Sequence, residues 1–173
     1  MSKKKEGVVL WFTGLSGAGK SPLAGAVAPR LRALGKKVEL LDGDVVRTHL
    51  STGLGFSRED RAENVRRIGW VASLLARNGV IVLASVISPY RDDRDAVRDM
   101  HGGRFIEVHV ATPVDVCASR DVKGLYAKQR AGELSGLTGV DDPYEPPLNP
   151  EVVVNTHEQS IDESVEQVWR ALS

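Results

Sequence analysis

The chain has one cysteine, Cys117, in 173 residues, so it cannot form an intrachain disulfide and a disulfide-stapled secreted scaffold is excluded. Long apolar runs are missing too. Near the N-terminus the longest, Val8 to Phe12, is too short for a signal-peptide core or a membrane span. Net charge is also absent: 23 Lys and Arg residues cancel 23 Asp and Glu. That removes the global positive field that would draw a protein onto nucleic acid or an anionic membrane, so any anion must be held locally. Neither an internal repeat nor a low-complexity linker marks a second unit. The four histidines, His49, His101, His109 and His157, lack metal-ligand spacing, and no structural metal is expected. The expectation is one domain over residues 1–173 in a reducing compartment, most simply the cytoplasm, with no nucleic-acid or membrane partner. Lys3, Lys4 and Lys5 read as a solvated tail.

What is present is an alternation of strand and helix patterns. Val8 to Thr13 reads as the first strand, followed by a Gly-rich turn over Gly14 to Lys20. Leu23, Val27, Leu31 and Leu34 are spaced as on one face of a helix, which Gly35 ends. Val38 to Leu41 predicts a short buried strand ending in Asp42-Gly43-Asp44, with a short helical stretch through Val45 and Leu50. Ser57 with Asp60 three residues on starts a helix whose inner face is expected to be Val65, Ile68, Val71, Leu74 and Leu75, closed by Asn78-Gly79. Val80 to Ala84 and Phe105 to Val110 are near-continuous apolar runs, as in parallel strands covered on both faces. A charged helix over Tyr90 to Met100 separates them. Thr112-Pro113 starts another helix, Val152 to Val154 supplies a last strand, and Ser160 to Leu172 a closing helix. The fold class is therefore α/β, a five-stranded parallel sheet with helices on both faces. Asp121 to Pro150, rich in Gly, Pro and charge, reads as a lid.

Gly14-Leu15-Ser16-Gly17-Ala18-Gly19-Lys20-Ser21 matches G-x-x-x-x-G-K-[ST] between a predicted strand and a predicted helix. Such a P-loop turns successive N–H groups toward a phosphate, aided by the helix N-terminus, while Lys20 reaches the β- and γ-phosphates and Ser21 supplies a hydroxyl to Mg²⁺. The motif alone does not separate a kinase from an ATPase or a GTPase switch. Asp42 and Asp44 lie at the C-terminal end of the second strand, where open α/β sheets bind ligands. One carboxylate there can deprotonate an acceptor hydroxyl while the other reaches the metal shell. Asp44 is preferred as base and Asp42 as the metal-side acid, although the sequence leaves the order open.

Together with Leu41-Asp-Gly-Asp44, Leu54-Gly-Phe-Ser57, Arg61 to Gly69, Ile87-Ser-Pro-Tyr-Arg91, Lys123-Gly-Leu-Tyr126 and Asp142-Pro-Tyr-Glu145, the P-loop resembles the adenylyl-sulfate kinase family from about Gly7 to Leu172. The resemblance implies a P-loop kinase fold. It also implies transfer of the γ-phosphoryl of ATP to the 3′-hydroxyl of adenosine 5′-phosphosulfate (APS), giving 3′-phosphoadenosine 5′-phosphosulfate (PAPS), with Mg²⁺ arriving on ATP. It assigns the acceptor to Arg47, Phe56, Arg61, Asn64, Ile87 and Ser88, and places Arg120 near the ATP base. Arginines suit phosphosulfate oxygens and Phe56 offers a stacking face. Lys123 and Arg130 would bring positive charge over the transferring group on lid closure. Without the resemblance, Arg61 reads as a solvated helix residue, Phe56 as a staple before the Ser57 cap, and Ser88-Pro89 as an N-cap with Pro at N1. Two other readings stay open: a P-loop kinase of a different small acceptor, and a non-catalytic nucleotide-binding regulator. A homodimer and a sulfurylase partner are likewise left open.

Four positions depart from the family pattern. Pro22 stands where threonine usually follows the P-loop, Val46 replaces an asparagine, Val86 replaces an aromatic residue, and Leu137 replaces the phenylalanine forming the second wall around the APS adenine. Leu137 is expected to present an aliphatic face opposite Phe56, or else to belong to the lid's own core. Pro29, predicted inside a helix, removes a backbone donor there. Pro22 lies in a first helical turn, where the missing N–H breaks no helical bond, but it withdraws one donor and one hydroxyl from the phosphate side. Pro22→Thr should therefore tighten ATP binding by up to about 1.5 kcal/mol. Equal or weaker affinity by calorimetry would refute this.

Overall fold

In a computed structural model, residues 6–173 are described, and the lysines at 3–5 lie outside the described residues. Strands β1 (Val9–Thr13), β2 (Val38–Asp42), β3 (Ile81–Ser85), β4 (Phe105–Val110) and β5 (Val152–Val154) form one parallel sheet in the order β2-β3-β1-β4-β5. The helices are α1 (Lys20–Ala33), α2 (Gly43–Leu50), α3 (Arg58–Arg77), α4 (Arg91–Asp99), α5 (Val114–Arg120), α6 (Leu125–Arg130) and α7 (Ile161–Leu172). Among the described residues, no helix is long and apolar enough to cross a membrane.

Strand side chains alternate between faces, and here each face has its own cluster. Leu10 and Phe12 of β1 pack with Leu23, Val27 and Leu31 of α1 and with Val165 and Val168 of α7. Val9 and Trp11 turn the other way, onto Val65, Ile68 and Ala72 of α3 and Val97 of α4. Because both faces are covered, β1 and β3 carry apolar residues up to their last positions, Thr13 and Ser85, which is why they read as near-continuous runs. Helix boundaries follow local chemistry. The Ser57 hydroxyl accepts from the Asp60 amide at 3.1 Å, Ser160 and Glu163 form a reciprocal capping box before α7, and Gly35 takes φ 70° after α1. Pro29 stands inside α1 on its exposed side, where the unpaired carbonyl of exposed Gly25 meets water.

Three expectations change. β2 is an edge strand rather than a buried one, with Leu40 exposed and Val38 and Leu41 half-buried, because its partner β3 lies on one side alone. On α3 the inner face is Val65, Ile68, Gly69, Ala72 and Ala76, while Val71, Leu74 and Leu75 are half-buried. Counting large side chains missed that α4 crosses over small residues: a Cβ on Gly69 would lie 2.6 Å from Val97 Cγ2. The segment from Asp121 to Pro150 is also less irregular than its composition suggests. It contains α6, and Tyr126 and Leu137 are buried in the same cluster as α1 and α7. Asp121, at φ 37°, ends α5 and accepts the amides of Tyr126 and Ala127 at 2.9 and 3.0 Å, so one residue closes one helix and caps the next.

The tight α3–α4 crossing gives a stability test. Gly69→Ala should cost about 1–3 kcal/mol by overpacking against Val97 and lower the thermal unfolding midpoint accordingly. An unchanged midpoint would mean that α4 retreats freely.

Candidate active site

The P-loop is shaped from outside. Ala18 O accepts the Thr156 hydroxyl at 2.6 Å, the Thr112 hydroxyl at 2.8 Å and Arg120 Nη1 at 3.4 Å, and the two threonine hydroxyls lie 2.8 Å apart. Ser16 O accepts the buried Tyr126 hydroxyl at 2.8 Å. A trans peptide places C=O and N–H on opposite sides. Anchoring the Ser16 and Ala18 carbonyls outward therefore aims the Gly17 and Gly19 amides into the hollow of the loop, as an anion nest requires. Gly17 and Gly19 take φ 77° and 105°, which favour glycine. Lys20 Nζ, buried, donates to Gly14 O at 2.9 Å and Leu15 O at 2.8 Å. Burial, and then the nearby Lys123 charge, push its pKa down to about 8.

Thr112, Thr156 and Tyr126 were not singled out as site residues from the sequence. Thr112 and Thr156 follow the C-terminal ends of β4 and β5, the sheet edge that already drew attention to Asp42 and Asp44, and that rule was the available signal. Arg120, expected beside the donor base, spends its guanidinium on Gly17 O, Ala18 O and both oxygens of Thr156 at 3.1–3.4 Å.

The two acids occupy different surroundings. Ser21 Oγ donates to Asp42 Oδ2 at 2.5 Å, and Asp42 Oδ1 caps α2 by accepting the Asp44 amide at 3.0 Å. Asp42 is thereby fixed against the P-loop hydroxyl. Asp44 is exposed and pairs instead with Lys123, from the lid segment between α5 and α6. Ser21 and Asp42 supply the hard oxygen donors that Mg²⁺ accepts. Among the described residues no group of three or more His, Cys, Asp or Glu could hold a metal.

On the β2–β3 side, the Arg47 guanidinium lies 4.3 Å over the Phe56 ring and donates to Leu54 O at 3.2 Å. Phe56 is 67% exposed, which rules out the staple reading and leaves its outer face free. Arg61 is buried rather than solvated. Its Nη2 reaches Gly136 O at 2.5 Å and Asp142 Oδ2 at 3.0 Å, so α3 meets the lid through it. Arg61 Nη1 and Asn64 Oδ1, three residues apart on α3, are buried with no hydrogen-bond partner among the described residues. Such atoms cost free energy unless a ligand satisfies them. A cleft of about 500 Å³ opens between Leu15 and the strap Gly139 to Tyr144.

Ser88 is not the N-cap expected of it. Tyr90 holds that position, and Ser88 adopts φ 44° with its hydroxyl buried, accepting Trp11 Nε1 at 3.0 Å and lying 3.0 Å from Val86 O. Ile87 presents its carbonyl to the Thr13 hydroxyl at 2.6 Å. Leu137 is 7% exposed within the cluster that includes Leu15 and Tyr126, which places it in the packing of the lid rather than as an open wall facing Phe56. Val46 and Val86, the other apolar departures, are buried together in the α3–α4 cluster. Arg130 is exposed at the end of α6.

Residues 6–155 match the family model for adenylylsulphate kinase. The adenylyl-sulfate kinase of Rippkaea orientalis is 59% identical over 98% of this chain and 93% of its own. That of Synechococcus sp. strain JA-3-3Ab is 61% identical over 97% and 95%. Among solved structures, the Mycobacterium tuberculosis APS kinase CysC in complex with AMPPNP and APS superposes with a TM-score of 0.93, at 46% identity over 96% of this chain and 98% of that one. The family model, the relatives at about 60% identity and the whole-chain superposition show that the chain belongs to the adenylyl-sulfate kinase family.

Proposed function

We propose that this protein transfers the γ-phosphoryl of MgATP to the 3′-hydroxyl of APS, giving PAPS. The observation that carries the reading to this acceptor is the pair of buried, unpartnered polar atoms, Arg61 Nη1 and Asn64 Oδ1, in the first half of α3, with the exposed ring of Phe56 just before that helix and Arg47 stacked on it. A donor, an acceptor and a stacking surface around one helix start suit a nucleotide carrying an anionic group. The similar M. tuberculosis kinase was solved with APS and an ATP analogue, which supports the same pair of substrates here.

In this reading the Gly17 and Gly19 amides and Lys20 cradle the donor phosphates. Lys20 exchanges its two carbonyl acceptors for phosphate oxygens and counters the charge that builds on them during transfer. Ser21 and Asp42 would hold Mg²⁺, which when bound would supply neutralisation of phosphate charge. Arg47 and Arg61 face the phosphosulfate and Phe56 the adenine. Asp44 accepts the proton of the 3′-hydroxyl as that oxygen attacks phosphorus. Lys123 holds the Asp44 carboxylate from the lid side, so that lid position and base orientation are linked.

Labelled ATP offered to APS, shikimate, gluconate and nucleoside monophosphates should label APS, and label on another acceptor alone would overturn the assignment. Asp44→Asn should lower kcat about a hundredfold or more while APS binding changes little, because an amide accepts a hydrogen bond but not the proton. Comparable kcat would remove Asp44 from the role. Lys20, with a pKa near 8, should regain its proton when phosphate oxygens replace carbonyls. ATP binding should then take up roughly half a proton at pH 8, more toward pH 9 and almost none from this group near pH 6.5. Calorimetry in buffers of different protonation enthalpy reads this directly, and buffer-independent heats at pH 8 would contradict it.

A further inference from the structure

Arg94 is among the largest fully buried side chains, 1% exposed on a helix that otherwise reads as solvated charge. A guanidinium out of water is costly unless its donors are matched, so its partners mark where the fold needs a fixed point. Arg94 Nη1 donates to Ser88 O at 2.6 Å, Nη2 donates to Glu145 O at 2.5 Å, and Nε faces the buried Glu107 carboxylate at 3.2 Å. Its first partner is a strained residue, since φ 44° is unfavourable for serine and persists only where the surroundings over-determine it. Its second partner lies in the last third of the lid segment, in the strap over Tyr144 to Pro146. That strap is tied at three further points: Tyr144 OH to Thr13 Oγ1 at 2.8 Å, Glu145 N to Pro89 O at 2.8 Å, and Arg91 Nε to Pro146 O at 2.7 Å.

We propose that Arg94 is a positioning residue for the acceptor, its two-pronged guanidinium locking the Ile87-Ser88 turn and the Tyr144–Pro146 strap into one rigid unit. The proposal rests on the acceptor reading above. Residues 144–146 are then a fixed post, and the preceding part of the lid segment meets the site through the Lys123–Asp44 and Asp142–Arg61 pairs. Two carbonyls from distant segments need a fork. Lysine would keep the charge beside Glu107 but gather its donors at one nitrogen, without the planar fork that spans the two carbonyls.

The test is Arg94→Lys in the full chain. The KM for APS should rise tenfold or more while the KM for ATP stays within twofold, and kcat should fall less than the KM for APS rises. Hydrogen exchange in the free protein should quicken in peptides covering 86–90 and 144–148 and remain unchanged over 14–23. Equal changes in both KM values, unchanged KM values with a smaller active fraction, or unaltered exchange at 144–148 would overturn the proposal. The exchange arm needs no substrate. A parent enzyme that ignores APS would therefore defeat the substrate reading, while the exchange data would still decide the tie. If Arg94→Lys does not fold, Tyr144→Phe releases the same post at Thr13 and must reproduce the APS-selective rise, and its absence would refute the proposal.

Discussion

The C-terminal edge of the sheet is organised around one peptide carbonyl, that of Ala18. Donors reach it from the segment after β4, from the segment after β5 and from the end of α5. Each bond adds only about 0.5–1.5 kcal/mol net, so the triad is not what keeps the chain folded. Its effect is geometric: it holds the loop with its amides already turned inward, so that the phosphate meets a finished cradle and little reorganisation remains for the moment of reaction. A three-residue β5 suffices because pairing Val154 beside Val110 brings Thr156 to that carbonyl. Lys20 depends on the same frame, since a buried ammonium needs the Gly14 and Leu15 carbonyls held still to compensate for lost water.

What the sequence disclosed and what it concealed divide along the range of the interactions. The P-loop, the Ser57 cap and the apolar runs of β1 and β4 are local patterns, and the structure has them within a residue or two of where spacing puts them. Thr156 and Arg94 escaped, and Tyr126 and Tyr144 stood inside quoted motifs without a role, because each has a partner, a backbone carbonyl or a hydroxyl, 51 to 138 residues away. No periodicity encodes a meeting that the strand order alone creates. Gly69 illustrates a different blind spot: a helix face was judged by bulk, whereas the crossing of α4 required its absence.

Three of the four departures from the family pattern, all but Pro22, acquire a common explanation. Val46 and Val86 pack in one cluster, where an amide and an aromatic ring elsewhere would each demand different neighbours, and Leu137 fills the cluster beneath the lid. These are substitutions in what surrounds the site. Arg47, Phe56, Arg61 and Asn64, the side chains proposed to meet the acceptor, remain clustered around α2 and α3.

The strand order separates the two substrates' machinery on either side of β1. The P-loop and its anchoring threonines follow β1, β4 and β5, and the acceptor-side groups proposed here come from β3 and the helices after β2 and β3. Asp42 at the end of β2 joins the P-loop through Ser21, and the lid segment touches both sides through Tyr126, Lys123 and Asp142. Such a division lets the two halves diverge at different rates. An ancestral nucleotide cradle, with Asp42 bound to Ser21, can be inherited intact while roughly the stretch from Asp44 to Arg91 is rewritten for a new acceptor, provided that the lid keeps its three points of contact.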